Sequence, residues 1–205
     1  MQNKPNLIII EDHPVMREGL AAWFAKTGRW NVRGTAASLE EAKKLLTVTP
    51  ADILLLDIQL EDGWGLDIIP WLAKQDTLAK QDKRPLTAVY STFNDYAHVR
   101  AALSLGVQAY ITKRRNEQDL EEALQKTLAG ETYIDDTALY KVDTFKNHLK
   151  LLSGREMEIF TLVKQKQTNK QIAAELGISR RTVENILSCV YGKIGVRSRY
   201  ELENL

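Results

Sequence analysis

The sequence predicts an α/β fold with a parallel sheet over its first two thirds, followed by a small all-helical domain. Three observations carry this. Four short apolar runs, at residues 7–10, 53–56, 86–90 and 107–111, each stop at polar or charged residues. Such runs read as strands buried on both faces. Between them lie stretches with helical spacing, so strand and helix alternate from Leu7 to about Gly130, the pattern of a wound βα sheet. From residue 149 onward the strand pattern stops, and capping boxes around a glycine turn take over.

The remaining elements follow in order. Pro14 opens a first helix that runs to Thr27, with Val15, Leu20, Trp23 and Phe24 on one side and Gly28 placed to end it. Residues 31–36 read as a second strand. Ser38-Leu39-Glu40-Glu41 has the form of a capping box and opens a second helix through Leu46. A third helix covers residues 66–72, with Pro70 in its first turns or kinking it. Residues 75–84 are polar, charge-mixed and longer than a usual connection, which marks a surface insertion. A fourth helix begins at Asn94 or Asp95 and ends before Gly106. A fifth covers residues 117–128 and ends before Gly130. Residues 1–130 thus form one domain. Residues 131–148 lose the pattern and read as a linker with some helix, partly docked.

Residues 149–205 form the second domain. They hold two further capping boxes, Ser153-Gly154-Arg155-Glu156 and Thr168-Asn169-Lys170-Gln171. The second box opens a short helix, Gly177 ends it, and Ser179 caps the next. Short helix, glycine turn, helix is the helix-turn-helix form, although a plain helical bundle would carry the same caps. In the last long helix, Val183, Leu187, Val190 and Ile194 make a core-facing stripe. Arg181, Glu184, Asn185 and Ser188 then face outward. In a major groove these side chains meet base edges: Asn185 pairs with adenine, and Glu184 accepts from cytosine N4. Lys170, Arg180, Arg181 and Lys193 are the candidate phosphate contacts.

Composition sets bounds. The chain has 205 residues, 44% of them hydrophobic, which suits one large or two small globular domains. Its apolar runs are too short to cross a bilayer, and no charged segment followed by an apolar one opens it. Cys189 is the single cysteine, which excludes an intrachain disulfide and a thiolate metal cluster. The expected location is cytoplasmic, with no membrane partner. Residues 1–148 hold 18 Lys+Arg against 21 Asp+Glu, a net charge of −3. Residues 149–205 hold 10 against 6, a net charge of +4. An acidic first part and a basic second part fit a regulator joined to a nucleic-acid binder, and a solvated basic helix would look the same.

The chemistry gathers at the strand ends. Asp57 closes the third strand, and a carboxylate there is delivered to the sheet edge where open α/β sheets hold ligands. If the strands are parallel, Glu11, Asp12, Asp57, Ser91 and Lys113 meet at that edge. Three converging carboxylates repel unless a cation joins them, and oxygen donors with room for water suit Mg²⁺. Lys113 neutralises a phosphoryl oxygen and Ser91 donates to one. These are the parts for placing a phosphoryl group on Asp57. The blander readings are a loop acid for Asp57, complements to a helix dipole for Glu11 and Asp12, and a solvated charge for Lys113.

Glu11-Asp12-His13-Pro14, Asp57, Ser91 and the run 106–113 resemble the receiver domain of bacterial two-component response regulators. Leu152-Ser153-Gly154-Arg155-Glu156, Asn169-Lys170-Gln171-Ile172-Ala173, and Ile178-Ser179 with Thr182-Val183 are similar to LuxR-type signatures. Together these identify the chain with the NarL/FixJ family over nearly its whole length. The resemblance implies a flavodoxin-like (βα)5 receiver in strand order 2-1-3-4-5, joined to an all-α helix-turn-helix domain. It implies Mg²⁺ held by Glu11, Asp12, Asp57 and the carbonyl of Gln59. It also implies a switch pair, Ser91 and Tyr110, that reports phosphorylation of Asp57, and it adds Thr182 to the DNA-facing set. The implied partners are a sensor histidine kinase, double-stranded promoter DNA and a second copy of the chain. The implied role is regulation and not enzymatic turnover. His13 stands where the family commonly has His and is assigned no chemistry.

Two departures stand out. A basic residue is usual where Glu184 lies, as His is frequent in place of Ile186, and an acid facing a polyanion costs affinity. Receivers of this type often have Pro where Glu61 lies. Alternative readings therefore stay open. One is a phosphorylation-independent or protein-binding regulator whose helix-turn-helix binds DNA weakly. Another is an aspartate-dependent phosphatase, although such enzymes carry a second Asp where this chain has Gln59.

Overall fold

The computed structural model describes residues 4–75 and 83–203. Most of the predicted 75–84 insertion lies outside the described residues. The elements are β1 (Asn6–Ile10), α1 (Pro14–Thr27), β2 (Asn31–Ala36), α2 (Leu39–Val48), β3 (Ile53–Leu56), β4 (Gln59–Leu60), β5 (Gly63–Trp64), a 3-10 turn (Gly65–Asp67), α3 (Ile68–Ala73), β6 (Leu86–Ser91), α4 (Tyr96–Ser104), β7 (Ala109–Thr112), α5 (Glu117–Leu128), β8 (Tyr133–Ile134), α6 (Asp136–Lys150), α7 (Gly154–Lys164), α8 (Asn169–Glu175), α9 (Arg180–Ile194) and α10 (Arg199–Glu203). The chain divides into two compact units, Met1–Leu139 and Tyr140–Leu205, so the division falls within α6.

The first unit is a parallel sheet in the order β2-β1-β3-β6-β7-β8. Its first five strands have the predicted flavodoxin-like order, and β8 is an addition. β8 lies parallel to β7, with Tyr133 opposite Ala109 and Ile134 opposite Tyr110. Two residues are too few to show period-2 alternation, so this strand has no sequence signature. The two sheet faces follow from the pleat. Leu7, Ile9, Ile53, Leu55, Ala88, Tyr90, Ala109 and Ile111 form one cluster with Leu20 and Phe24 of α1 and Leu120, Ala123 and Leu124 of α5. The alternate residues Ile8, Ile10, Leu54, Leu56, Val89 and Tyr110 are equally buried, on the face left for α2, α3 and α4. A sheet covered on both sides needs continuous apolar runs, and this is why the strands show no polar alternation.

Helix ends are built largely as the capping signals require. Glu41 N–H donates to Ser38 Oγ at 3.2 Å, but Glu41 Oε2 accepts from Ala37 N–H at 2.7 Å, one residue earlier than a reciprocal box. Asp62 accepts from Leu39 N–H at 2.8 Å and from Glu40 N–H at 3.1 Å, so an acid from a distant loop completes this N-terminus. Pro70 sits in the first turn of α3, where its missing N–H costs nothing.

In the second unit both predicted boxes close reciprocally. Ser153 pairs with Glu156 at the start of α7, and Thr168 pairs with Gln171 at the start of α8. Gly177 adopts φ 64°, and Ile178 N–H donates to Ala173 O at 3.0 Å, which turns the chain from α8 into α9. Val183, Leu187, Val190 and Ile194 are buried as the stripe requires, with Ile159, Val163, Ile172 and Leu202 also in the core.

The residues expected as a linker are ordered as β8 and α6, and a buried polar knot holds their start. Asp135 is fully buried. It accepts from Arg115 Nε at 2.7 Å, Thr112 Oγ1 at 3.0 Å, Thr137 N–H at 2.8 Å and Thr137 Oγ1 at 2.7 Å. Burial alone would raise its pKa, but these donors outweigh burial and hold it at about 2 against an ordinary 3.8. A depressed carboxylate pKa gives stability that is present above pH 3.8 and lost as pH falls through about 2. Asp135→Ala is expected to lose about 2–3 kcal/mol at pH 7, because it strands the buried Thr112 hydroxyl and removes the nearest partner of Arg115. The difference from wild type should shrink towards zero near pH 2 in urea unfolding followed by circular dichroism.

Candidate functional site

Backbone ladders set the site. Three N–H groups just past the strand ends continue the sheet pairing: Glu11 donates to Ala36 O at 3.0 Å, Asp57 to Ile10 O at 2.9 Å, and Lys113 to Ser91 O at 2.8 Å. Residues that lie far apart in sequence are thereby aligned along one sheet edge. Lys113 Nζ then reaches Asp57 Oδ2 at 2.7 Å and Glu11 Oε2 at 2.7 Å. All three side chains are almost buried, with relative exposures of 9% for Lys113, 7% for Asp57 and 2% for Glu11.

Two acids beside one ammonium leave excess negative charge in a low-dielectric setting. Burial raises the Glu11 pKa above its ordinary value, and the hydrogen bond from Lys113 only partly offsets this. Burial pulls the Lys113 pKa down, yet its two hydrogen bonds to Asp57 and Glu11 win, and the pKa stands above 10.5. Asp12 lies beside this pair on the more exposed side. Its carboxylate is 2.9 Å from His13 Nδ1, which is also 3.5 Å from Glu11 Oε1. Ligand atoms of Glu11, Asp12 and His13 all lie within 4.8 Å of one another. Sequence reasoning assigned His13 no chemistry, and the structure brings its ring to the acids.

The loop after Asp57 is tightly built. Gln59 pairs with Trp64 and Leu60 with Gly63 in a two-stranded hairpin, and Glu61 is exposed in its turn. Gly65 N–H donates to Ile58 O at 2.6 Å. A Cβ at Gly65 would lie 2.0 Å from the backbone oxygen of Asp57, so only glycine fits there. Gln59 N–H is 3.4 Å from Asp57 Oδ1, a long contact.

Ser91 and Tyr110 are both fully buried. They hold the same residue from opposite sides. Phe93 N–H donates to Ser91 Oγ at 3.4 Å, and Tyr110 Oη donates to Phe93 O at 2.9 Å. The Phe93 ring stacks on His98 of α4, with centroids 4.1 Å apart and planes within 3°. Burial pushes the Tyr110 phenol well above its ordinary pKa, so it remains a donor. A cleft of about 630 Å³ opens beside Lys113, walled by Met16, Leu20 and Trp23 of α1 and by Tyr90 and Thr92.

Four positioning residues, Arg17, Asp62, Arg115 and Asp135, had no clear sequence signal. Arg17 Nη1 donates to the carbonyls of Glu11 at 2.8 Å and Asp12 at 3.0 Å, fixing the backbone that carries the acids. Asp62 and the Arg115–Asp135 pair act only through tertiary contacts. Gly65 could have been suspected as an isolated glycine beside the Asp57 turn.

In the second unit Arg181, Thr182, Glu184, Asn185, Ser188 and Lys170 are exposed, as expected. Two candidate phosphate contacts are already engaged. Lys193 Nζ lies 2.6 Å from Glu156 Oε2, and Arg180 Nε lies 2.9 Å from Glu184 Oε1. Thr182 also serves the α9 cap, since its hydroxyl lies 2.8 Å from Ser179 Oγ.

Two family models match the chain. The response regulator receiver domain matches residues 7–125, and the luxR family of bacterial regulatory proteins matches residues 150–204. The probable transcriptional regulatory protein SgaR of Hyphomicrobium methylovorum is 30% identical over 97% of this chain and 90% of its own. The response regulator protein VraR of Staphylococcus aureus is 27% identical, covering 94% of this chain and 91% of its own. Among solved structures, RcsB of Salmonella typhimurium superposes with a TM-score of 0.68 at 22% identity, over 99% of this chain and 98% of that one. A structure of two RcsB dimers bound to two parallel DNAs gives 0.72 at 22% identity, over 98% and 97%. These two likenesses speak for the fold. Among the described residues no helix is long and apolar enough to cross a membrane.

Lys113→Met should leave Glu11 and Asp57 buried without their cation, at a cost of about 3 kcal/mol at pH 7. The pKa of Lys113 is raised, so its contribution is complete below pH 10.5 and fades as pH rises beyond that value. Urea unfolding of both proteins from pH 7 to pH 11 should show their midpoints converging at the alkaline end.

Proposed function

The chain belongs to the response regulators of the NarL/FixJ family, in which a receiver domain precedes a LuxR-type DNA-binding domain, and from that premise we propose that Asp57 is its phosphoacceptor and a sensor histidine kinase its phosphodonor. The observation that carries this reading is Lys113 held between Glu11 and Asp57 at the carboxyl edge of the sheet. In the transfer the P–N bond of the kinase phosphohistidine breaks and a bond from phosphorus to an Asp57 carboxylate oxygen forms. Lys113 already donates to Asp57, and its ammonium is placed to follow the negative charge onto a phosphoryl oxygen.

The donor set fits a hard divalent cation. Glu11 and Asp57 place two carboxylates on the single ammonium of Lys113, and Asp12, on the more exposed side, lies with Glu11 and His13 in a group whose ligand atoms are within 4.8 Å of one another, so carboxylate oxygens predominate. These carboxylates and the carbonyl of Gln59 would hold Mg²⁺, which when bound supplies charge screening for the acids and the incoming phosphoryl oxygens.

Transmission runs through Phe93 in this reading. Ser91 holds its N–H by a long bond that is cheap to release. When Ser91 turns to donate to the phosphoryl group, Phe93 loses one of its two anchors, and Tyr110 and the ring stacked on His98 shift with it. That is a population shift between packed arrangements around α4. The output is dimerisation and binding of double-stranded promoter DNA by α8 and α9, regulating transcription. Pairing of Glu184 with Arg180 weakens the case for a domain that contacts only protein, because the acid meets the polyanion already neutralised.

Treatment with acetyl phosphate and Mg²⁺ should label the protein on one residue, detected by mass shift. Chelation with EDTA should stop labelling, and Asp57→Ala should abolish it while the fold is retained; labelling of Asp57→Ala at the wild-type level would rule out the assignment. Tyr110→Phe removes the hydroxyl bond to Phe93 and is expected to cost about 1 kcal/mol of stability. It should leave labelling intact and reduce the gain in DNA affinity on phosphorylation, measured by fluorescence anisotropy.

A further inference from the structure

The start of α9 presents an unusual charge arrangement. Arg180 Nε donates to Glu184 Oε1 at 2.9 Å, one helical turn away, and both side chains are exposed. For stability alone a pair of this kind is worth little. Its consequence lies in what the helix shows to a ligand. The buried stripe of Val183, Leu187, Val190 and Ile194 forces Glu184 outward beside Asn185 and Arg181. With Lys193 tied to Glu156, the cations that remain without an acidic partner among the described residues on α8 and α9 are Lys170 and Arg181. The face is therefore poor in free positive charge.

A carboxylate accepts hydrogen bonds and donates none. In the major groove the edge of guanine offers only acceptors, and so does thymine O4, whereas cytosine N4 and adenine N6 are donors. Adenine sets its N7 acceptor beside the amino group, where it opposes a second carboxylate oxygen, so cytosine N4 is the better partner. An unpaired carboxylate would be repelled by the phosphates on either side. Arg180 removes that cost in two ways: it cancels the charge, and it fixes the side chain while occupying one of the carboxylate's several acceptor positions.

We propose that Arg180 and Glu184 form one base-reading unit, in which Glu184 accepts from the N4 amino group of a cytosine and Arg180 positions and neutralises it. This rests on α9 entering the major groove of DNA. Glu184 is then the specificity-determining contact and Arg180 a positioning residue. A second consequence concerns salt. With few free cations on the face, the salt dependence of binding is shallow, since each neutralised phosphate contributes a slope of about 0.9.

The test uses the full chain, treated with acetyl phosphate and Mg²⁺. Duplexes are enriched from a random pool, and the enriched duplex and all its single-base variants are then titrated at several salt concentrations. Wild type, Glu184→Ala, Glu184→Gln, Glu184→Lys and Arg180→Ala are compared, each checked for folding by thermal melting. One cytosine in the enriched site should be worth about 5- to 100-fold in affinity to wild type. Glu184→Ala and Glu184→Gln should flatten that one position to less than about 3-fold and leave the others unchanged. Glu184→Lys should move the preference there to guanine and steepen the salt slope. Arg180→Ala should weaken binding and blur that same position, and it should have no such effect in a Glu184→Ala background. Identical base preferences for wild type and Glu184→Ala would overturn the proposal while leaving DNA binding in place. Absence of any enriched sequence or salt-dependent binding by wild type would overturn both.

Discussion

The ammonium of Lys113, lodged between Glu11 and Asp57, is the contact on which the rest of the first unit depends. Two carboxylates cannot be packed this closely at a sheet edge without a cation, and a lysine cannot be buried this deeply without acids. Each group makes the placement of the others affordable. The surrounding architecture keeps the three in register: the ladder bonds of Glu11, Asp57 and Lys113 to neighbouring strands, the Arg17 guanidinium on the carbonyls of the acids, and the absent side chain at Gly65 behind Asp57. The arrangement is preorganised but not neutral. Excess negative charge remains, and on the proposed function that excess is what a divalent ion would screen.

From this edge two routes lead away. One passes from Ser91 through Phe93 to Tyr110 and the stacked His98. Its longest bond is the one from Phe93 N–H to Ser91 Oγ at 3.4 Å, the link that the proposed switch would release first. The other passes along β7, where Tyr110 O accepts from Asp135 N–H at 2.8 Å and Arg115 grips the Asp135 carboxylate. That knot fixes where α6 begins, at Asp136, and its Arg115 lies two residues beyond Lys113. β7 thus leads at its end to Lys113 of the candidate site and, through Tyr110 and Thr112, holds Asp135 at the start of α6.

The second unit uses charge differently. Its acids serve its helices: Glu156 closes a capping box and holds Lys193, and Glu184 pairs with Arg180. The +4 net charge of residues 149–205 already subtracts these acids, and the pairs decide only where the positive charge stands unpartnered. What is left outward is a mixed polar face, the one on which the proposed base reading by Glu184 rests.

By itself the sequence determined the alternation of strand and helix, the acid, hydroxyl and lysine at the strand ends, the helix-turn-helix caps and the buried stripe of α9. These are readable because each depends on local periodicity or on a side chain within four residues of its backbone partner. Only the tertiary structure decided that β8 joins the sheet, that Asp62 reaches back to cap α2, that Gly65 is needed behind Asp57 and that Asp135 gathers Arg115, Thr112 and Thr137. It also decided which cations of the second unit are free, since Lys193 and Glu156 are 37 positions apart. The physical reason is the same throughout: hydrogen bonds and ion pairs between residues distant in sequence depend on how the elements pack, and packing leaves no mark on local pattern.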